Sequence, residues 1–320
     1  MKILSHHKTR PTRLLAFLLC SALLFSCQEK KQEEKPETTE SKAENAILVV
    51  SENMEFQVQD TIPSGWNLLR YKNFSSQTHF ILIDDYPEGK TLDTVRSKVI
   101  PYFDSGMKLL NEGKTEEGFA EFSKLPEWFG QVSFHGGTGL ISPGQTAETM
   151  LYLEPGEYFM ECYVKMENGI FHASMGMIEP FVVSEEKSGE KELSADIEIT
   201  ISSTEGIVFN DSIGPGDHVF SVAFKDQIVH ENFAGHDVNL VRMEHDADPG
   251  VLEQWMNWVD PKGLIEPSPP GFIFLGGVNN MPAGNKGYFK AHLQPGTYAL
   301  ISEVPEAGKK NMLKIFTIGE

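Results

Sequence analysis

Leu153-Glu-Pro-Gly-Glu-Tyr-Phe-Met-Glu-Cys162, followed by His172 and Met177, is the stretch from which the rest of the chain can be read. Pro155-Gly156 marks a tight turn. Beyond it the residues alternate as they do in a half-buried strand over Glu157–Val164. Tyr158, Met160, Cys162 and Val164 share one face, and Glu157, Phe159, Glu161 and Tyr163 share the other. The glutamates are expected to face water, which turns Cys162 inward. Taken singly, an inward cysteine is commonly a small hydrophobe, a loop histidine is solvated and a methionine is core. Their order changes the reading. A cysteine leaving a strand, then a histidine on the next loop, then a methionine can converge at one end of a sandwich.

The same unit occurs twice. Leu-Glu-Pro-Gly156-Glu-Tyr-Phe-Met-Glu-Cys162 matches Leu-Gln-Pro-Gly296-Thr-Tyr-Ala-Leu-Ile-Ser302. Upstream, Gly136-Gly137 through Pro143-Gly144 matches Gly276-Gly277 through Pro282-Ala-Gly284, and Thr78-His79 matches Gly235-His236. Downstream, Met177-Ile-Glu-Pro-Phe181 matches Met312-Leu-Lys-Ile-Phe316. Four matches in one order predict two domains, 46–184 and 195–320, joined by a charged linker at 185–194. Short β-rich runs at 47–50, 56–58, 66–71, 80–83 and 148–153 alternate with turns. They predict an all-β fold of two tandem Greek-key β-sandwiches.

One insertion has helical spacing. Thr91 can cap a helix carrying Leu92, Val95, Val99, Phe103 and Leu110, kinked or split at Pro101. Thr115 can cap a second helix carrying Phe119 and Phe122. The second half has a shorter helical stretch, 249–259, with Leu252 and Trp255 inward. Covering a sandwich end is preferred over docking a partner.

The first residues address the chain rather than fold. Lys2, Lys8, Arg10 and Arg13 precede the apolar run Leu14–Phe25, which is too short to span a bilayer comfortably. Leu24-Phe25-Ser26-Cys27 resembles a bacterial lipobox, so residues 1–27 read as a lipoprotein signal with Cys27 as the lipidated residue. Residues 28–45 lack the apolar surface to offset ordering entropy and read as a disordered tether. The expected location is the cell envelope, extracytoplasmic and lipid-anchored. The formal charge is −19, and removing the four basic residues of 1–26 makes it −23. That balance disfavours nucleic acid and anionic lipid and suits a cationic partner. Once Cys27 carries lipid and the leader is gone, Cys162 has no partner for a disulfide. A free thiol outside the cytoplasm oxidises unless it is buried or ligated, which favours ligation.

The histidine that would complete a site is His79, which follows Tyr71-Lys-Asn73 where a strand breaks and the chain turns. With it, the chain resembles the cupredoxins, the type 1 copper proteins. Their pattern is an Asn-bearing strand leading to a His, then Pro-Gly-x-Tyr-x-x-x-Cys, His and Met. The resemblance implies one copper in the first domain on His79, Cys162 and His172, with Met177 as axial ligand. Met175, on the same loop, competes for the axial role, and Asn73 is a candidate outer partner. The nine residues between Cys162 and His172 exceed the gap in plastocyanin and are closer to that of copper nitrite reductases. The second domain keeps His236 and Met312 but has Ser302 in place of the cysteine. It reads as a metal-free copy, and His230, His245, Asp246 and Asp248 are only a weak alternative site.

Two imidazoles, a thiolate and a long thioether suit one-electron shuttling. Multicopper oxidases and nitrite reductases place a histidine beside the cysteine, whereas Cys162 lies between Glu161 and Tyr163. No phosphate loop, nucleophile elbow or zinc-protease motif is present, so no catalytic residues and no enzyme are expected. The alternatives to an electron carrier with an unknown redox partner protein are a non-redox binding or structural module with a vestigial site, and copper sequestration or delivery.

Overall fold

Alternating apolar residues make the strands, and their pairing makes two layers. The computed structural model describes residues 45–320. Residues 1–44, which include the expected leader, Cys27 and nearly all of the expected tether, lie outside the described residues. The first half contains β1 (Ile47–Glu52), β2 (Glu55–Gln57), β3 (Thr61–Asn73), β4 (Leu82–Asp85), β5 (Ser133–Phe134), β6 (Thr146–Leu153), β7 (Gly156–Glu161) and β8 (Ile178–Lys187). In one layer β3 lies antiparallel to β6 and parallel to β1. The first residues of β3, Thr61–Ser64, pair instead with β8, which continues to β7, β4 and β5. A single long strand therefore serves both layers. Leu69, Tyr71 and Leu151 from one layer and Met160 and Phe181 from the other fall in one apolar cluster.

The second half contains β9 (Ile197–Ser202), β10 (Gly206–Val208), β11 (Gly216–Phe224), β12 (Val238–Met243), β13 (Phe272–Val278), β14 (Lys286–Leu293), β15 (Gly296–Ile301) and β16 (Leu313–Ile318). The pairings recur: β9 is parallel to β11 as β1 is to β3, and β12–β15–β16 repeats β4–β7–β8. Individual contacts recur too. The Tyr158 hydroxyl donates to the Glu154 carbonyl at 3.0 Å, and the Tyr298 hydroxyl to the Gln294 carbonyl at 3.0 Å. Gly137 and Gly277 sit at φ +148° and +142°. A Cβ on either would stand 1.9 Å from the Ile81 carbonyl oxygen or 2.0 Å from that of Val238. The repeated Gly-Gly is thus a place where two backbones cross too closely for a side chain.

The halves also share a sheet. β14 pairs with β6 through Tyr288–Met150, Phe289–Thr149 and Lys290–Glu148, making one 12-stranded sheet beside a 4-stranded one. Glu148 accepts from Arg70 Nε at 2.7 Å and from Lys290 Nζ at 2.9 Å across this junction.

The insertion forms α1 (Leu92–Lys98), α2 (Ile100–Asn111) and α3 (Thr115–Phe122). Thr91 caps α1, accepting from the Thr94 amide at 3.4 Å. Pro101 splits the helices by occupying the first turn of α2, where its missing N–H has no intrahelical partner to lose. Lys114, not Thr115, is the N-cap residue of α3. These helices lie over the outer face of β7 rather than at a sandwich end: Phe159 packs with Val95, Val99 and Ile178. The face that alternation assigned to water is therefore covered. Phe159 is buried and Glu161 is only partly accessible. In the second half a fourth strand-covering helix, Pro249–Met256, buries Leu252 and Trp255 as its spacing predicts. Among the described residues no helix is long and apolar enough to cross a membrane.

Candidate metal centre

β7 ends at Glu161, so Cys162 is the first residue beyond the strand rather than inside it. The chain then folds back on itself. Met166 donates its amide to Ile170 at 2.8 Å, and the His172 amide returns to the Val164 carbonyl at 2.8 Å. The Ala173 amide donates to the Cys162 carbonyl at 2.8 Å, and the Cys162 amide to the Met177 carbonyl at 3.1 Å. These bonds place His172, at the start of the single helical turn His172–Met175, directly against Cys162. The turn is pinned to α2 by the Ser174 hydroxyl, which donates to Asp104 at 2.6 Å.

His79 arrives from the other side. Asn73, fully buried at the end of β3, donates to the carbonyls of Gln77 at 2.7 Å and Ile141 at 3.1 Å. Its Oδ1 accepts from the Ser51 hydroxyl and the Ser75 amide, each at 3.0 Å. Four hydrogen bonds thus fix the turn that leads to His79. His79 then exchanges backbone hydrogen bonds with Ile141, at 3.2 and 2.7 Å. A further clamp comes from the second half: the Thr78 amide donates to Glu266 at 2.8 Å, and the Thr78 hydroxyl to Ser268 at 3.1 Å. Sequence reading missed Glu266, because nothing local marks a carboxylate that acts on a residue 188 positions away.

The three side chains meet. His79 Nδ1 and His172 Nδ1 are 3.0 Å apart, and Cys162 Sγ lies 3.8 and 3.7 Å from them. All three residues are completely buried. Among the described residues they are the one group of three His, Cys, Asp or Glu side chains close enough to share a metal ion. A point equidistant from these three atoms lies about 2.05 Å from each, the circumradius of that triangle. First-row metal bonds to imidazole nitrogen and thiolate sulfur are about 2.0–2.3 Å long. The donor set therefore fits an ion without moving.

The electrostatics agree with that fit. Burial and the neighbouring His172 lower His79 to a pKa of about 3, and burial lowers His172 to about 4. Both imidazoles are neutral at physiological pH, as coordination requires. Burial pushes the Cys162 thiol up to about 12. A thiolate there needs a counter-cation, and a bound metal supplies one. Both Nε2 atoms are buried with no hydrogen-bond partner among the described residues. Met177 is fully buried, while Met175 is 51 % exposed.

The corresponding place in the second half has different chemistry. His236 Nδ1 lies 3.0 Å from His230 Nε2, and the Ser302 hydroxyl donates to Asp237 at 2.9 Å. His245, Asp246 and Asp248 are exposed, and Asp248 caps the helix that follows it.

Two β layers sharing a long strand, with one histidine arriving after that strand and a cysteine and second histidine on the return loop, make the architecture cupredoxin-like. No family model and no curated protein matches the chain. Among solved structures, an auracyanin from Roseiflexus castenholzii is 20 % identical, with 44 % of this chain and 97 % of that one covered at a TM-score of 0.26. Auracyanin A, a blue copper protein from Chloroflexus aurantiacus, is 17 % identical, covering 43 % and 98 %, TM-score 0.26. A multicopper oxidase is 11 % identical, covering 86 % and 88 %, TM-score 0.22.

Proposed function

We propose that the chain is an envelope lipoprotein, anchored through lipid on Cys27. In this reading His79, Cys162 and His172 of the first half, 46–184, would hold one type 1 copper, with the buried thioether of Met177 as the weakest of the four donors. The half 195–320 is its metal-free copy. The protein passes single electrons to and from a partner protein outside the cytoplasm. The observation that carries the reading is the buried triangle of two Nδ1 atoms and one Sγ, with edges of 3.0, 3.7 and 3.8 Å.

When bound, copper supplies a one-electron couple that such a ligand set holds in both oxidation states. The chain supplies the rest. His79 and His172 present neutral nitrogens once the proton between their Nδ1 atoms moves to an Nε2 position. Cys162 gives up its thiol proton on coordination. Complete burial keeps water from the sulfur and guards it against oxidation. The Asn73, Glu266 and Ala173 hydrogen bonds hold the ligand backbones in place, so that a change of oxidation state meets little rearrangement. Cys162 is flanked by Glu161 and Tyr163, with no adjacent histidine to lead to a second metal. That supports a carrier rather than an oxidase.

The test is the visible absorption spectrum of residues 28–320 titrated with Cu(II), beside Cys162→Ala. An intense thiolate-to-copper band in the wild type alone is expected. Absence of that band at stoichiometric copper refutes the reading. Reversible reduction at one potential then separates electron transfer from sequestration.

A further inference from the structure

Between the helical insertion and the outer face of β4 and β7 there is a cavity of about 280 Å³. Its walls are mostly aromatic: Phe103, Phe129, Phe233 and Trp258 all line it. Phe103, Phe129 and Phe233 stand 5.7–5.8 Å from one another. Val229 and Phe233, 64 % and 38 % exposed, open it to solvent.

The polar side chains in this wall are out of balance. Asp84 is fully buried with no N–H or O–H donor against its carboxyl among the described residues; it faces the Glu161 carboxyl instead, and burial and that neighbour hold it well above the usual carboxylate range. Glu161 and Glu303 also line the cavity, and no lysine, arginine or histidine does. Two buried carboxyls that face each other without a counter-charge share a proton rather than ionise together, and a cation placed against Asp84 and Glu161 would offset their repulsion. The ring faces carry negative quadrupole density and also attract cations. A bare metal ion is not the natural occupant. Among the described residues the one three-donor cluster is at His79, and this cavity offers mainly apolar surface.

We propose that this cavity binds a small organic cation of the alkylammonium class, with its charged head against Asp84 and Glu161 and its apolar body among Phe103, Phe129, Phe233 and Trp258. The chain's acidic balance favours the encounter. The cavity also borders the metal centre. Glu161 and Tyr163 flank Cys162, and Ala173 follows His172, so the occupant would rest on the ligand loop. The inference does not depend on copper binding.

The test is isothermal titration of residues 28–320 with choline and phenethylammonium, and with 3,3-dimethylbutan-1-ol, the neutral isostere of choline. At least one cation should saturate, and where it is choline the alcohol should bind about tenfold more weakly or less. Asp84→Asn, which keeps the shape, should abolish the preference for charge. Phe233→Ala, at the exposed rim, should weaken cation binding without affecting folding. No saturable binding of either cation up to about 10 mM overturns the proposal. So does equal binding of choline and its isostere, or a preference that survives Asp84→Asn.

Discussion

Asn73→Ala should destabilise the metal-free protein by about 2–4 kcal/mol and weaken the metal centre at the same time. The magnitude follows from the four hydrogen bonds of the side chain. The bonds to the Gln77 carbonyl and from the Ser75 amide, 2.7 and 3.0 Å, involve partly accessible residues that water can reach. Their loss costs about 0.5–1 kcal/mol each. The Ile141 carbonyl keeps its bond from the His79 amide, so losing the 3.1 Å contact costs a similar amount. The Ser51 hydroxyl is fully buried but can turn to the Tyr71 hydroxyl beside it, so its loss too costs about 0.5–1 kcal/mol. In a chain of this size the total corresponds to a fall in melting temperature of about 3–7 °C. Urea unfolding and a thermal scan measure the stability, and competition with a chromophoric chelator measures copper affinity. Because Asn73 fixes the turn that delivers His79, affinity should fall together with stability. A stability loss below about 1 kcal/mol, or a full loss with unchanged copper affinity, would refute the reasoning that this side chain positions the histidine.

Glu148→Gln tests the junction between the halves. Burial pushes the Glu148 carboxyl upward, but hydrogen bonds from Lys290 and Arg70 outweigh it and leave the group below the usual glutamate range. Its contribution is complete above the unfolded glutamate range and is lost as pH falls through the lowered folded value. Denaturant unfolding at neutral pH should show a loss of about 1 kcal/mol in the variant, narrowing toward zero in acid; a constant difference would exclude the ion pairs as its source. Gly137→Ala should cost at least about 3 kcal/mol, since its Cβ would meet the Ile81 carbonyl at 1.9 Å, and hydrogen exchange should localise the opening to the β4 side; near-neutral stability would contradict the crossing. Met177→Leu should raise the reduction potential of the copper-loaded protein, whereas Met175→Leu, at a half-exposed position, should leave it unchanged. Equal shifts, or a shift in the second variant alone, would move the axial role away from Met177.

Several features were legible before any coordinates. The order His79, Cys162, His172 along the chain identified the side chains that meet, because a strand end and its return loop are local events that spacing can encode. The Gly-Gly and Pro-Gly landmarks marked the repeated pairings, since only certain backbones tolerate them. Pro101 announced the break between two helices. The alternation rule failed at Phe159 and Glu161 because it reports two faces of a strand without saying what covers each. A helical insertion from residues 91–124 closes over the outer face and turns a solvent position into the wall of an acidic, aromatic cavity.

What the sequence by itself determined is therefore local: the strand periods, the helix starts and stops, the repeat, and the types of side chain carried to one loop. What only the tertiary structure decided is long-range. Glu266 reaching Thr78 across 188 positions, β14 joining β6 into one sheet, and the Asp84 carboxyl facing that of Glu161 leave no periodic trace. Backbone sterics and hydrophobic period act over a few residues and are written in neighbours. Pairing between distant strands depends on which surfaces meet after collapse, and that is settled by packing in three dimensions.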